Sequence, residues 1–205
     1  MITKTFKKII VVCLTVLLFC GCQSKIDDKP RPSNCGDLQV IDGRLCDKKG
    51  NPIILQGVST YNINWTRYYI NEELFSQVSK QWHMNIIRLA MYTVGSEGYC
   101  NGGNKDSIKG YIENGVKYAT DNDMYVIIDW HILEDGNPNT HIEEAKEFFE
   151  DVSKKYANNN NVIYEICNEP NGNITWQDIK DYANTIIPII RNNDPNSVII
   201  VGHTD

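Results

Sequence analysis

The chain has 205 residues and a formal net charge of −6 at pH 7. This acidic balance makes nucleic acid and anionic membrane surfaces poor partners, because both repel a negatively charged protein. None of the spacings among the seven cysteines is a zinc-binding signature, so the sequence predicts no metal site of that kind.

Residues 1–22 have the pattern of an export signal. Three lysines precede an uncharged stretch, Ile9–Phe19, which is too short to span a bilayer. The segment ends in Gly21-Cys22 and resembles a bacterial lipobox, in which Cys22 would carry a diacylglycerol. Removal of the signal takes away three lysines and no acids, which shifts the formal charge from −6 to −9. The sequence therefore predicts an exported protein, either secreted or held at the cell surface as a lipoprotein.

Residues 23–34 are polar and contain prolines, which is typical of a linker between an anchor and a domain. Four cysteines follow the linker. Cys167 lies inside an apolar run and is interpreted as a buried packing residue. For Cys35, Cys46 and Cys100, one disulfide is an open alternative in an exported protein.

The domain, residues 35–205, begins with a predicted β-hairpin, because Asp42-Gly43 separates two apolar runs. After it, strand-like and helix-like segments alternate. The predicted strands are Ile53–Val58, Asn85–Met91, Met124–Trp130, Asn161–Cys167 and Ser197–Val201. The predicted helices lie near Glu72–Gln81, Lys105–Asn122, His141–Tyr156 and Thr175–Arg191, and Thr175 with Asp178 is expected to cap the last one.

Apolar strands separated by helices predict an α/β protein with a parallel sheet. Polar and aromatic residues follow the strands, as they do on the catalytic face of a (β/α)₈ TIM barrel. A doubly wound sheet is the alternative, but no Gly-x-Gly-x-x-Gly sequence follows the first strand. The interpretation is a TIM barrel of which this chain carries the N-terminal five βα units, preceded by a hairpin.

Arg88 interrupts an apolar strand, and a buried guanidinium requires an acidic partner. Glu169 follows another strand, and Pro170 prevents that strand from continuing. A glutamate shielded at this place can keep its proton near neutral pH, as a general acid must. Asn168 is placed to bind a sugar hydroxyl, and His131 closes a third strand. Asp129 is interpreted as a supporting acid rather than a nucleophile.

Aromatic residues after the strands predict a sugar-binding cleft. Tyr61, Trp65 and Tyr92 would offer flat apolar faces to pyranose rings. His83, His141 and His203 do not form a metal triad and are interpreted as loop or helix-surface residues.

Four motifs occur in order on successive predicted strands: Gln56–Thr60, Ile87–Tyr92, Val126–Leu133 and Val162–Pro170. Together they resemble glycoside hydrolase family 5, most closely its bacterial endoglucanase (cellulase) branch. The resemblance implies a monomeric, retaining β-1,4-glucanase that needs no cofactor.

The resemblance also implies roles for individual residues. Glu169 matches the family's acid/base, Asn168 the residue that binds the sugar 2-hydroxyl, and Arg88 the arginine beside the nucleophile. His131 and Tyr92 match cleft residues, and Trp65 matches a sugar platform.

The sequence departs from the family pattern in two places. The family often has histidine where this chain has Tyr61, and no context for the family's nucleophile follows Val201. We therefore expect the 205 residues alone to be inactive and poorly soluble, since an unclosed barrel exposes strand edges. A mannanase, a xylanase, or a non-catalytic glucan-binding surface lipoprotein are the alternative functions.

Overall fold

The computed structural model describes residues 29–204 of the chain. The predicted signal, Cys22 and the first part of the predicted linker lie outside these residues. Within the described range, no helix combines the length and the apolar character needed to cross a bilayer.

The predicted hairpin is confirmed. Strands β1 (Gln39–Ile41) and β2 (Arg44–Cys46) are antiparallel, with Ile41 opposite Arg44. The turn residues Asp42 and Gly43 both have positive φ, 49° and 73°. A two-residue turn of this kind matches the twist of the strands that it joins.

The last six residues of the predicted linker are docked on the domain. They include a one-turn helix, α1 (Pro32–Cys35). Arg31 donates a hydrogen bond to Ser79 Oγ over 3.0 Å, and the Ser33 amide donates to Asp123 Oδ1 over 2.9 Å. Folded structure therefore begins before Cys35, inside the segment that composition assigns to a linker.

Five parallel strands form the main sheet, and they lie side by side in chain order. This sequential order is that of a TIM barrel, whereas a doubly wound sheet reverses its strand order at a switch point. The order confirms the predicted α/β barrel architecture for this part of the molecule. The strands are β3 (Gly57–Ser59), β4 (Ile86–Tyr92), β5 (Tyr125–His131), β6 (Val162–Cys167) and β7 (Ile199–Val201).

The first strand of this sheet is shorter than predicted. The sequence predicts a strand over Ile53–Val58, but β3 begins only at Gly57. The amide of Ile53 donates to Leu45 O of the hairpin, so this stretch joins the hairpin rather than the sheet. At Gly57 the two backbones come close, because a Cβ there would lie 1.8 Å from Ile86 O.

Four longer helices connect the strands, as predicted. Three of them begin after a side chain that accepts a backbone N–H hydrogen bond, and the helix that begins at Ile142 does not. The expected Thr175–Asp178 capping box is present at the start of the last helix. Pro188 lies inside α5. The helices are α2 (Glu72–Lys80), α3 (Lys105–Asp121), α4 (Ile142–Tyr156) and α5 (Trp176–Asn193), with 3₁₀ helices at Arg67–Tyr69 and Pro138–His141.

The two faces of the sheet have different surroundings. Ile87, Leu89 and Met91 of β4 pack with apolar residues of all four longer helices in one large cluster. The alternate residues face the other way, since side chains alternate along a strand. Toward the amino ends of the strands this second face packs with Leu38 and with Leu45 of the hairpin. Toward the carboxyl ends it carries charged groups, among them Arg88 and Asp129.

Candidate active site

Charged and polar residues of three neighbouring strands meet on the second face of the sheet. Arg88 and Tyr92 of β4 are an even number of residues apart and therefore face the same side of the sheet. Asp129 and His131 of β5 face that side too, because they are paired with Ala90 and Tyr92. Glu165 of β6 is paired with Asp129 across the ladder. Because parallel strands end at the same edge, these side chains lie together at their carboxyl ends.

Arg88 is the centre of this group. Its Nε and one Nη bind the two oxygens of Glu165 over 2.7 and 2.9 Å. The same Nη lies 2.8 Å from Asp129 Oδ2 and donates to Asn168 Oδ1 over 2.7 Å. The acidic partner that the sequence requires for Arg88 is therefore present, and there are two of them.

His131 links Asp129 to Asn168. Its Nδ1 lies 2.7 Å from Asp129 Oδ2, and its Nε2 lies 3.3 Å from Asn168 Nδ2. Asn168 Oδ1 accepts from Arg88, so its Nδ2 must be the donor toward His131. Nε2 is then the acceptor, and the ring is neutral with its proton on Nδ1.

Burial and neighbouring charges lower the pKa of His131 and raise the pKa values of Asp129 and Arg88. Burial, helped by the positive charge of Arg88, lowers the pKa of His131 to about 4. Burial and the charge of Glu165 raise the pKa of Asp129. Asp129 Oδ1 is buried without a hydrogen-bond partner, so little on that side stabilises a negative charge. Burial opposes the charge of Arg88, but its acidic partners outweigh burial and raise its pKa.

A line of aromatic rings extends from His131 toward solvent. Tyr92 stacks on His131 with 4.0 Å between ring centroids. The ring centroid of Tyr61 lies 5.6 Å from that of Tyr92 and 5.9 Å from that of Trp65, and Tyr61 is 57% exposed. Its φ of 60° is unusual for a bulky residue, and such conformations concentrate at functional sites. The three aromatic residues proposed from the sequence thus form one row at the rim of the site.

Glu169 follows directly after Asn168, beyond the end of β6. Its amide donates to Ile132 O over 3.4 Å, which ties it to the residue after His131. Its side chain is exposed, although Pro170 is buried. This differs from the shielded carboxyl predicted from the sequence, because the strand ends at Cys167 and the described residues leave the Glu169 side chain exposed.

Sequence reasoning did not identify Glu165 as a partner of Arg88. The sequence nevertheless contains an indication, because Glu165 interrupts an apolar strand just as Asp129 interrupts the strand before it, and the two residues are paired in the sheet. A second acid at this position of a buried strand indicates a buried cation nearby.

Comparison with known proteins shows the family of the chain. Residues 46–205 match the family model for cellulase (glycosyl hydrolase family 5). The chain is 49% identical over 169 residues to endoglucanase A of Butyrivibrio fibrisolvens, covering 82% of this chain and 39% of that protein. It is 45% identical over 200 residues to an endoglucanase of Clostridium saccharobutylicum, covering 97% and 44%. The chain thus spans less than half the length of these relatives.

A similar solved structure is the catalytic domain of Thermobifida fusca endoglucanase Cel5A. It superimposes with a TM-score of 0.81 at 40% identity, covering 86% of this chain and 57% of that domain. A variant of that domain, solved in complex with cellotetraose, matches equally well. With its sequential parallel sheet, its strand-end site and a family match over most of its length, the chain belongs to glycosyl hydrolase family 5.

Proposed function

We propose that the enzyme carrying these residues is an endo-β-1,4-glucanase that hydrolyses internal bonds of cellulose or related glucans with retention of configuration. The observation that carries the proposal is the position of Glu169. Its carboxylate is exposed next to Asn168, whose amide is fixed by Arg88 on one side and His131 on the other. The endoglucanase names of the relatives support this substrate class.

In this proposal Glu169 donates a proton to the glycosidic oxygen as the bond to the leaving sugar breaks. A carboxylate about 5 Å away attacks the anomeric carbon, and Glu169 then removes a proton from the water that hydrolyses the intermediate. Asp129 and Glu165 do not serve as this nucleophile, because both are buried in the sheet beneath the cleft and cannot reach the anomeric carbon of a bound sugar. We assign the nucleophile to the part of the longer enzyme outside these 205 residues.

The other polar groups position the sugar. Asn168 donates to the 2-hydroxyl with the N–H that otherwise reaches Ile132 O over 3.2 Å, a contact that strengthens as the anomeric carbon becomes positive. Tyr92, Tyr61 and Trp65 offer ring faces along the cleft. Neutral His131 keeps the Asn168 amide in the orientation that the hydroxyl requires, since its Nε2 accepts from that amide.

Substitution of the acid/base tests the mechanism. In the full-length protein we expect Glu169→Gln to lower kcat on carboxymethylcellulose by about 10²–10⁴-fold, because the leaving sugar is no longer protonated. An aryl cellobioside with an acidic phenol needs no such proton, so its first step should survive. Added azide should then give the β-glycosyl azide, the product expected of a retaining enzyme.

Glu134→Gln is the matched control, since Glu134 is an exposed glutamate on the loop after His131. It should retain full activity. Undiminished hydrolysis by Glu169→Gln would refute the assignment. Faster hydrolysis of mannan or xylan than of β-glucan would favour the alternative substrates, and binding without hydrolysis would favour a non-catalytic glucan-binding protein.

We further propose that the enzyme is exported and attached to the cell surface through a lipid on Cys22. The support is the sequence of residues 1–22, with its lysines, its uncharged stretch and its Gly21-Cys22 ending. Surface attachment would keep a polysaccharide-degrading enzyme, and therefore the sugars that it releases, close to the cell.

A further inference from the structure

A second cluster of functional groups lies beside the proposed cleft, and the proposed mechanism does not use it. It consists of Cys100, His141 and Glu144, whose ligand atoms all lie within 4.8 Å of one another. Thiol, imidazole and carboxylate converge here from two parts of the chain that are far apart in sequence. No disulfide removes the thiol, since the four cysteines of the described range are all free.

Two rigid elements hold the three side chains. Cys100 lies on the loop after β4, where its amide donates to Thr93 O over 2.7 Å. The preceding amide, that of Tyr99, donates to Tyr92 O over 2.9 Å, so the loop is fixed to the end of the strand. His141 ends a 3₁₀ helix, and Glu144 lies in the first turn of α4.

The three donor atoms are slightly farther apart than the ligands of a bound tetrahedral ion. Zinc binds sulfur at about 2.3 Å and nitrogen or oxygen at about 2.0–2.2 Å, so its ligands lie about 3.3–3.6 Å apart. His141 Nδ1 lies 3.9 Å from Glu144 Oε1. These two side chains are 21% and 35% exposed, so small rotations bring their donor atoms into range.

The donor set selects the class of metal. A thiolate with an imidazole disfavours Ca²⁺ and Mg²⁺, which prefer oxygen, and favours Zn²⁺. One thiolate and one carboxylate neutralise a divalent ion. The positive end of the α4 dipole opposes a cation here, but the carboxylate of Glu144 in the first turn offsets it. The nearby ammonium of Lys105 is held over the Tyr99 ring, 5.0 Å from its centroid.

We propose that Cys100, His141 and Glu144 form a Zn²⁺ site with three protein ligands and a fourth position for water. The ion links the loop after β4 to the start of α4. Since that loop is bound to the end of β4 at Tyr92, the ion stiffens one wall of the cleft. His141, which the sequence analysis interpreted as a surface residue without a metal role, becomes a ligand.

Metal binding tests this directly. Chelator-treated full-length protein is titrated with Zn²⁺ against a chromophoric chelator, and with Co²⁺ by absorption. We expect one Zn²⁺ per chain and a thiolate-to-Co²⁺ charge-transfer band. Glu144→Gln should weaken Zn²⁺ binding by about tenfold or more, because loss of a ligand costs at least as much as loss of a group behind one. Glu143→Gln, one residue away, should leave it unchanged.

Cys100→Ser should abolish the charge-transfer band, whereas the control variant Glu143→Gln should retain it. A band that persists in Cys100→Ser would overturn the proposal, as would equal Zn²⁺ affinity in Glu144→Gln and Glu143→Gln, or the absence of one-to-one binding. Because Glu144 is partly exposed, its variant keeps the test decisive even if the cysteine variant does not fold.

Discussion

Arg88 shows at the scale of single residues how a largely buried charge is accommodated, since its side chain is only 20% exposed. Removing a guanidinium from water is costly unless ionised partners and hydrogen bonds replace the water. Here Glu165 binds it with both oxygens, Asp129 approaches from the next strand, and the Asn168 carbonyl accepts a further hydrogen bond. The same contact that satisfies the charge also fixes the side chain next to Glu169.

We expect Arg88→Met to lower the free energy of unfolding by about 3–5 kcal/mol at pH 7, because it leaves two buried carboxylates without a counter-charge. The raised pKa of Asp129 gives the loss a pH dependence. Protonation at lower pH removes the unpaired charge, so the difference from wild type should shrink as the pH falls. Urea unfolding of the full-length protein at several pH values measures it.

Lys117→Met is the control, since it breaks an exposed i,i+4 pair with Asp121 on α3. Its cost should be below about 1 kcal/mol and nearly independent of pH. Equal losses in the two variants would show that the Arg88 network carries no special stability.

At the scale of elements, the connection after β7 determines where Asn168 lies. The Gly202 amide donates to Cys167 O over 2.9 Å, and a Cβ on Gly202 would lie 2.0 Å from Asn168 O. Two strand ends therefore approach more closely than any side chain permits. Glycine is required here by close contact, and its φ is not in the left-handed region.

We expect Gly202→Ala to move the backbone at Asn168 and to lower kcat/KM on carboxymethylcellulose by more than tenfold, since small displacements of positioning groups are costly. Gly110→Ala is the control, because a Cβ at Gly110 of α3 meets nothing within 4 Å. That change should leave activity unchanged and should slightly raise stability, as alanine favours helix over glycine. Full activity in Gly202→Ala would contradict the proposed role of the contact.

On the scale of the whole molecule, the N-terminal segment connects the domain to its proposed anchor. Lys29 to Ser33 contact Ser79, His83 and Asp123, near the amino ends of the strands. The proposed cleft lies at the carboxyl ends of the same strands. A lipid on Cys22 would therefore attach the domain from the side opposite to the substrate.

We expect Cys22→Ser to prevent lipid attachment and to release the enzyme from the membrane fraction. Labelling of cells with a radioactive fatty acid, followed by fractionation, measures both effects. Cys13→Ser, inside the predicted signal, is the control and should leave the enzyme labelled and membrane-bound. An unlabelled wild-type protein that is secreted in full would show that the signal is cleaved without lipidation.

The sequence alone determined the order of the elements, because apolar periodicity and turn residues act locally. Asp42-Gly43, the capping pair at Thr175 and four of the five strands follow from it directly. It also indicated the strand-end residues, since parallel strands bring their carboxyl ends together. The family resemblance implies roles for these residues.

Only the tertiary structure decided which groups share a contact. Strand register determines that Arg88 binds Glu165 and Asp129 and that the ring of His131 is neutral. The paths of two loops determine that Cys100 lies next to His141. The exposed Glu169 carboxyl and the docked residues 29–34 likewise depend on packing between distant segments. Local preferences specify elements, whereas a site is made by residues that only the packed backbone brings within a few ångströms of one another.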